Sequence, residues 1–173
     1  MKVALDVQYN HDYAIGAALA FSAWSDPEPC SETTLLVRGV EPYEPGSFFK
    51  RELPVLLATI AELPFTPNLL IIDGHVWLGP DKPGLGWHLH QQVEMRMPVV
   101  GVAKTSFAGA AHAHKVFRGV SRKPLYVTSV GMEGDKAARA IASMAGEHRL
   151  PTLLKQVDTL ARKRFAETTA ETS

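Results

Sequence analysis

The sequence has one cysteine, Cys30, among 173 residues. No internal disulfide can form, and a zinc site built from cysteines is excluded. No apolar run approaches the roughly 20 residues that a membrane-spanning helix needs, which argues against an integral membrane protein. The N-terminal stretch MKVALDVQYN meets Asp6 before any apolar segment long enough for a secretory signal, so it reads as a first strand. From these absences the expected location is the cytoplasm. Charge of one sign is also missing, with 18 basic and 18 acidic side chains. A chain devoted to gripping a polyanion often carries a basic surplus, and the total shows none. The distribution is less even: Lys104, His112, His114, Lys115, Arg118, Arg122 and Lys123 fall in a stretch with no acidic residue from 104 to 123. Composition alone reads it equally as a solvated loop face or as a phosphate-contacting surface.

What remains is ordinary for a globular chain, 46% hydrophobic and 21% charged, and long enough to bury one core. Residues 2–9, 14–24 and 33–39 are rich in β-formers and separated by turn-forming residues, including a loop with Asp26, Pro27 and Pro29. Connections this short predict an antiparallel meander. The period then changes. Phe48, Phe49, Leu53, Leu56, Leu57 and Ile60 form a helical stripe within 46–63. Asn68 to Asp73 is a continuous apolar run closed by Asp73-Gly74, as suits a strand buried on both faces. A helix around 84–94, a second buried strand over 98–103, a hairpin-like pair near 114–129 and helices at about 135–146 and 151–165 complete the chain. This order predicts an α/β domain over 1–165 with a mixed sheet flanked by helices, and a disordered tail over 166–173.

Three carboxylates stand out. Asp6 sits inside an apolar strand, where a lone carboxylate is costly to bury without a partner or a cation. Asp73 ends the buried strand, and ligands of open α/β sheets gather at the carboxyl ends of central strands. Glu52 lies on the helix between them. Brought together, they would make a hard, oxygen-rich site suited to Mg²⁺. The plainer alternative is a turn cap, a strand terminator and a surface helix charge. The histidine pairs His88/His90 and His112/His114 offer little for metal binding: an i,i+2 pair on a helix diverges, and two ligands lack a third. Asp135 opens a helix, where an Asp commonly serves as N-cap, and is also a candidate late carboxylate.

The segments around these residues resemble the endonuclease V family. Asp6-Val7-Gln8-Tyr9 is similar to its Asp-Val-x-Tyr strand. The segment from Pro42-Tyr43-Glu44-Pro45-Gly46 through Phe48 to Arg51-Glu52-Leu53-Pro54 resembles its Pro-Tyr-x-Pro-Gly…Phe-Arg-Glu-x-Pro stretch. Asp73-Gly74-His75, Pro80, Gly84-Leu85 and His88-Leu89 follow the family's order, as do Gly101-Val102-Ala103-Lys104 and His148-Arg149-Leu150-Pro151. The likeness runs from about residue 3 to 163. It implies a ribonuclease H-like fold and a metal-dependent endonuclease, acting on the 3′ side of deaminated adenine (inosine or hypoxanthine) in DNA or RNA. It also implies Mg²⁺ held by Asp6, Glu52 and Asp73, with Mn²⁺ able to substitute. Lys104 would contact the scissile phosphate or orient the attacking water. Tyr43 matches the family's wedge, and Gly46, Phe48 and Gly74, with His75 beside them, match positions that shape the pocket for an everted base. The expected partner is nucleic acid and the expected state a monomer.

The chain departs from the family in places. Val76 replaces the last glycine of Asp-Gly-His-Gly, Gly79 stands where a histidine is expected, and Met132 stands in place of the histidine of Ser-x-Gly-His. The chain also opens directly on its first strand, where the family has a preceding helix. These changes bear on rate and base selectivity and leave the carboxylates intact. Two alternatives stay open at this point: a weakened or inactive homologue serving as a nucleic-acid-binding or scaffolding protein, and a phosphodiesterase acting on another substrate.

Overall fold

A computed structural model describes residues 1–10, 12–39, 48–107 and 112–172. The strands β1 (Lys2–Tyr9), β2 (Tyr13–Phe21) and β3 (Ser31–Arg38) form the expected antiparallel meander. Helix α1 (Phe48–Ala61) then carries the chain over the sheet to β4 (Leu69–Asp73), which pairs parallel to β1. A short hairpin of β5 (Trp77–Gly79) and β6 (Lys82–Pro83), which the sequence reading missed, leads into α2 (Leu85–Gln92). Strand β7 (Val99–Ala103) pairs parallel to β4, and β8 (His114–Val116) and β9 (Leu125–Val130) close the sheet with antiparallel pairings. Helices α3 (Gly134–Ser143) and α4 (Thr152–Thr172) end the chain. Among the described residues the main sheet has seven strands, in the order β3-β2-β1-β4-β7-β9-β8.

The continuous apolar run of β4 is explained by what covers it. Leu69 and Ile71 pack with Ala4, Val100 and Val102 beneath Ile141 of α3 and Leu153, Val157 and Ala161 of α4. Leu70 and Ile72 face the other way, with Val3, Leu5 and Val99 against Leu53 and Leu56 of α1 and Leu85 and Leu89 of α2. Period-two alternation thus fills two separate cores, one on each face. Edge strand β3 alternates half-buried and exposed residues instead, as a strand wet on one face must. Close approach of α1 to the sheet rests on Gly16 of β2, since a Cβ there would stand 1.9 Å from the Thr59 hydroxyl.

Residues 166–172, expected to lie in a disordered tail, instead continue α4 to Thr172. The Tyr13 hydroxyl lies 2.5 Å from the Thr169 hydroxyl, and the Tyr13 and Phe165 rings sit 5.1 Å apart, so contacts distant in sequence hold a segment whose composition alone suggests fraying. Among the described residues no helix is long and apolar enough to cross a membrane.

Arg118 also differs from expectation. It is buried at 7% exposure and donates to the carbonyls of Ile141, Ala142, Ala145 and Gly146 at 2.7–3.3 Å. The guanidinium satisfies the orphan carbonyls at the end of α3, where the helix dipole favours a cation, so it is unavailable to a phosphate. Arg118→Ala is expected to cost about 3 kcal/mol, lowering Tm by roughly 6–12 °C, because buried carbonyls lose a charged donor. Thermal unfolding followed by circular dichroism checks this; an unchanged Tm would contradict the capping role.

Candidate active site at the carboxyl ends of the central strands

Strand register brings the first two carboxylates together. In the parallel pair β1–β4 the last partners are Leu5 and Ile72, so Asp6 and Asp73 follow side by side on neighbouring strands. Adjacent strands lie about 4.8 Å apart. Both residues, with Glu52 from α1, Lys104 just beyond β7 and Asp158 from α4, line one open cleft of about 590 Å³. Gly74, His75, Tyr9 and Arg162 are among its other lining residues.

Electrostatics show how closely these groups feel one another. Burial, then repulsion from Asp73, raises the Asp6 pKa to about 7, with Asp158 adding to the effect. Glu52 is 9% exposed, and burial followed by repulsion from Asp6 and Asp73 lifts its pKa to about 8. Near neutral pH the cleft therefore retains protons that ordinary carboxyls would have lost. The Lys104 ammonium sits 2.8 Å from Asp73 Oδ2. Burial would lower the Lys104 pKa, but its hydrogen bond and charge pairing with Asp73, with Asp158 and Asp6 behind, outweigh this and raise it.

The donor set fits a hard divalent cation: four carboxylates around one cleft, with Asp6 and Glu52 holding on to protons near neutral pH because of burial first and mutual repulsion second. As the side chains stand, no three His, Cys, Asp or Glu groups among the described residues form a ready metal-holding cluster. Lys104 supplies the nearest positive charge, on an oxygen of Asp73. The chemistry of the donors favours a cation, whereas their present arrangement is that of a site held by an ammonium.

The surrounding backbone is tailored to bring the Asp73 loop over the sheet. Gly74 has φ 141°, a conformation L side chains rarely adopt, and it turns the chain at the end of β4. Beneath it, a Cβ on Gly101 would stand 2.5 Å from the Gly74 carbonyl. His75 Nε2 lies 3.1 Å from the Thr105 carbonyl, and burial lowers its pKa. Arg149 donates to the carbonyls of both Lys104 and Pro124, tying the Lys104 backbone to the start of β9.

The structure thus gathers Asp6, Glu52, Asp73, Lys104, Gly74 and His75 in one place. Tyr43 and Gly46 lie outside the described residues, and of Phe48 only the backbone that opens α1 is described. Asp135 is not the late carboxylate: its side chain is 75% exposed and pairs with His114 at 3.2 Å. Asp158 lines the cleft in its stead. Sequence reasoning passed over it because Arg162, one turn later, makes it look like a surface pair. The available sign was its place beside the apolar stripe of Leu154, Val157 and Ala161.

The departures from the family sit outside the cleft. Val76 is fully buried, donates its N–H to the Thr128 hydroxyl at 2.8 Å, and occupies space left by Gly86, where a Cβ would meet Val76 at 2.6 Å. Gly79 is buried in the β5–β6 hairpin, and Met132 packs against the α3–α4 core. The paired histidines diverge as expected: His88 stacks on Phe49 at 3.9 Å, while His90 Nδ1 lies 2.9 Å from the Met97 carbonyl.

An antiparallel meander running into parallel strands, with carboxylates clustered at the carboxyl ends of its central strands, defines a ribonuclease H-like protein. Comparison with known proteins narrows the class. The family model of endonuclease V matches residues 2–132. The Streptomyces avermitilis protein named endonuclease V is 30% identical, over 96% of this chain and 81% of its own length. A crystal structure of endonuclease V from that organism superposes with TM-score 0.75 at 26% identity, covering 96% of this chain and 82% of the other. A Ciona intestinalis endonuclease V, crystallised with a 24mer DNA containing an inosine followed by a ribo-adenosine, shares the fold at TM-score 0.76 and 18% identity, over 96% of this chain and 86% of that one. The chain belongs to the endonuclease V family.

Proposed function

We propose that this protein hydrolyses a phosphodiester bond near a deaminated adenine in DNA or RNA, using Mg²⁺ held in the carboxylate cleft. The observation that carries the reading is the crowding of Asp6, Glu52, Asp73 and Asp158 beside Lys104, with protons retained on Asp6 and Glu52 near neutral pH. Carboxyls so placed gain most from a cation. A bound divalent ion would supply Lewis acidity and a more acidic water. Asp6 and Asp73, neighbours on adjacent strands, would hold it, with Glu52 and Asp158 from either side. Lys104, 42% exposed, is placed to turn its ammonium from Asp73 to an incoming phosphate oxygen. The everted base would enter over Gly74, whose missing side chain leaves the backbone approachable. Tyr43 would act as the wedge by its match to the family, and the Ciona complex with inosine-containing DNA supports that substrate class.

The test is cleavage of matched inosine and adenine oligonucleotides, single- and double-stranded, with Mg²⁺ or Mn²⁺. Cleavage on the 3′ side of inosine, faster than of the adenine strand, is expected. Tyr43→Ala should reduce discrimination in duplexes more than it slows single-strand cleavage, since unpaired bases need no wedge. Equal rates on both bases would remove lesion selectivity. Absence of any cleavage would favour a non-catalytic homologue.

A further inference from the structure

The hairpin turn between β8 and β9 carries features that neither the core nor the cleft uses. Phe117 is 61% exposed and Val120 is 103% exposed, both in the turn that joins the last two strands of the sheet. Arg122 and Lys123 beside them are exposed, and no acidic residue occurs from 104 to 123. An exposed Phe beside an exposed Val and two cations offers what a ligand with a flat apolar face and negative charge would use.

Topology places this turn on the same rim as the cleft. Strand β9 pairs antiparallel with β7, Ala103 opposite Tyr126, and β8 pairs with β9, Val116 opposite Leu125. Phe117 to Pro124 therefore emerges at the end of the sheet where Asp73 and Lys104 lie. The Arg149 guanidinium, bonded to both the Lys104 and Pro124 carbonyls, sets Lys123 one residue from a direct bridge to Lys104. Three strand spacings separate β4 from β8. At about 4.8 Å each this is roughly 14 Å, about four steps of a B-form strand at 3.4 Å. Arg118, buried beneath and bonded to four carbonyls, anchors the turn rigidly to α3.

We propose that the β8–β9 turn is a flanking-strand platform: Phe117 stacks on an unpaired base a few nucleotides from the scissile bond, while Arg122 and Lys123 contact the intervening phosphates. The inference rests on the proposed nuclease reading and extends it, because it makes an unpaired flank part of the preferred substrate. Base stacking on an aromatic side chain is sequence-tolerant and accompanies a cationic groove in single-strand binders.

The test is fluorescence anisotropy in EDTA with a labelled single strand bearing a central inosine, and with two strands trimmed to two nucleotides on one side or the other. Phe117→Ala is expected to bind the full strand about ten-fold more weakly, with an unchanged melting curve because the side chain is exposed. Phe117→Trp should restore binding. One trimmed strand should bind the wild type and Phe117→Ala alike, which identifies the flank. Arg122→Ala/Lys123→Ala should flatten the slope of log affinity against log salt by about 1.4, at roughly 0.7 per lost phosphate contact, whereas Phe117→Ala keeps the slope. Unchanged affinity of Phe117→Ala for the full strand, or an equal loss on all three strands, overturns the platform. If the wild type still cleaves inosine strands in that case, the nuclease reading survives alone. A wild type that neither binds nor cleaves them ends both.

Discussion

Asp73→Ala is expected to lower metal-dependent cleavage by roughly three orders of magnitude or more while the protein stays folded. Asp73 acts on three other groups of the cleft: it repels Asp6 and Glu52 and accepts a hydrogen bond from Lys104. Charge stabilisation by a bound metal is worth several kcal/mol at the transition state, and each 1.36 kcal/mol is a tenfold rate. Stability should move little or rise. The lost pair with Lys104 is exposed, and such pairs contribute about 0–1 kcal/mol, whereas removing the charge relieves repulsion on Asp6 and Glu52. Single-turnover cleavage of an inosine strand at saturating Mg²⁺, alongside a melting curve, separates the two effects. Wild-type rates in the variant would take Asp73 out of the chemistry.

Without added metal, the wild-type protein should lose stability as pH rises from about 5 to 8. Asp6 and Glu52 have folded-state pKa values of about 7 and 8, raised from ordinary values of 3.8 and 4.5. The folded state thus binds protons more tightly than the unfolded chain. Their contribution is intact below the unfolded pKa values and is eroded as pH rises through the folded ones. The expected readout is a Tm in EDTA that falls by several degrees across that window. Asp6→Asn should raise Tm at pH 8 and change it little at pH 5. Adding Mg²⁺ to the wild type should recover the loss at pH 8, because a ligand bound only by the folded state stabilises it by mass action. A Tm in EDTA that is flat or rises from pH 5 to 8 would contradict the crowded-carboxylate picture.

Much of the architecture is legible in the sequence because local pattern and tertiary role agree. The unbroken apolar run of β4 and its Asp73-Gly74 ending predicted a central strand feeding a site. The stripe of α1 predicted the helix that brings in Glu52. Reading failed where long-range contacts decide. The polar segment after 165 has no apolar period, yet Tyr13 holds it in helix. Arg118 looks like any basic loop residue until the open carbonyls of α3 are in view. Asp158 is masked by its pairing with Arg162, and only the fold reveals that α4 crosses beside β1. Val76 reads as a damaged motif, but in three dimensions it fills the space vacated by Gly86.

Direct titration of Mn²⁺ by calorimetry, into the wild type and into Asp6→Asn/Asp73→Asn, bears most closely on the central claim that the carboxylate cleft holds a divalent cation. The wild type is expected to bind Mn²⁺, with proton release that grows as pH falls from 8 to 6, because Asp6 and Glu52 must give up protons to the ion. The double variant, folded by circular dichroism, is expected to show no binding. A wild type that binds no Mn²⁺, or a double variant that binds it equally well, would contradict the account.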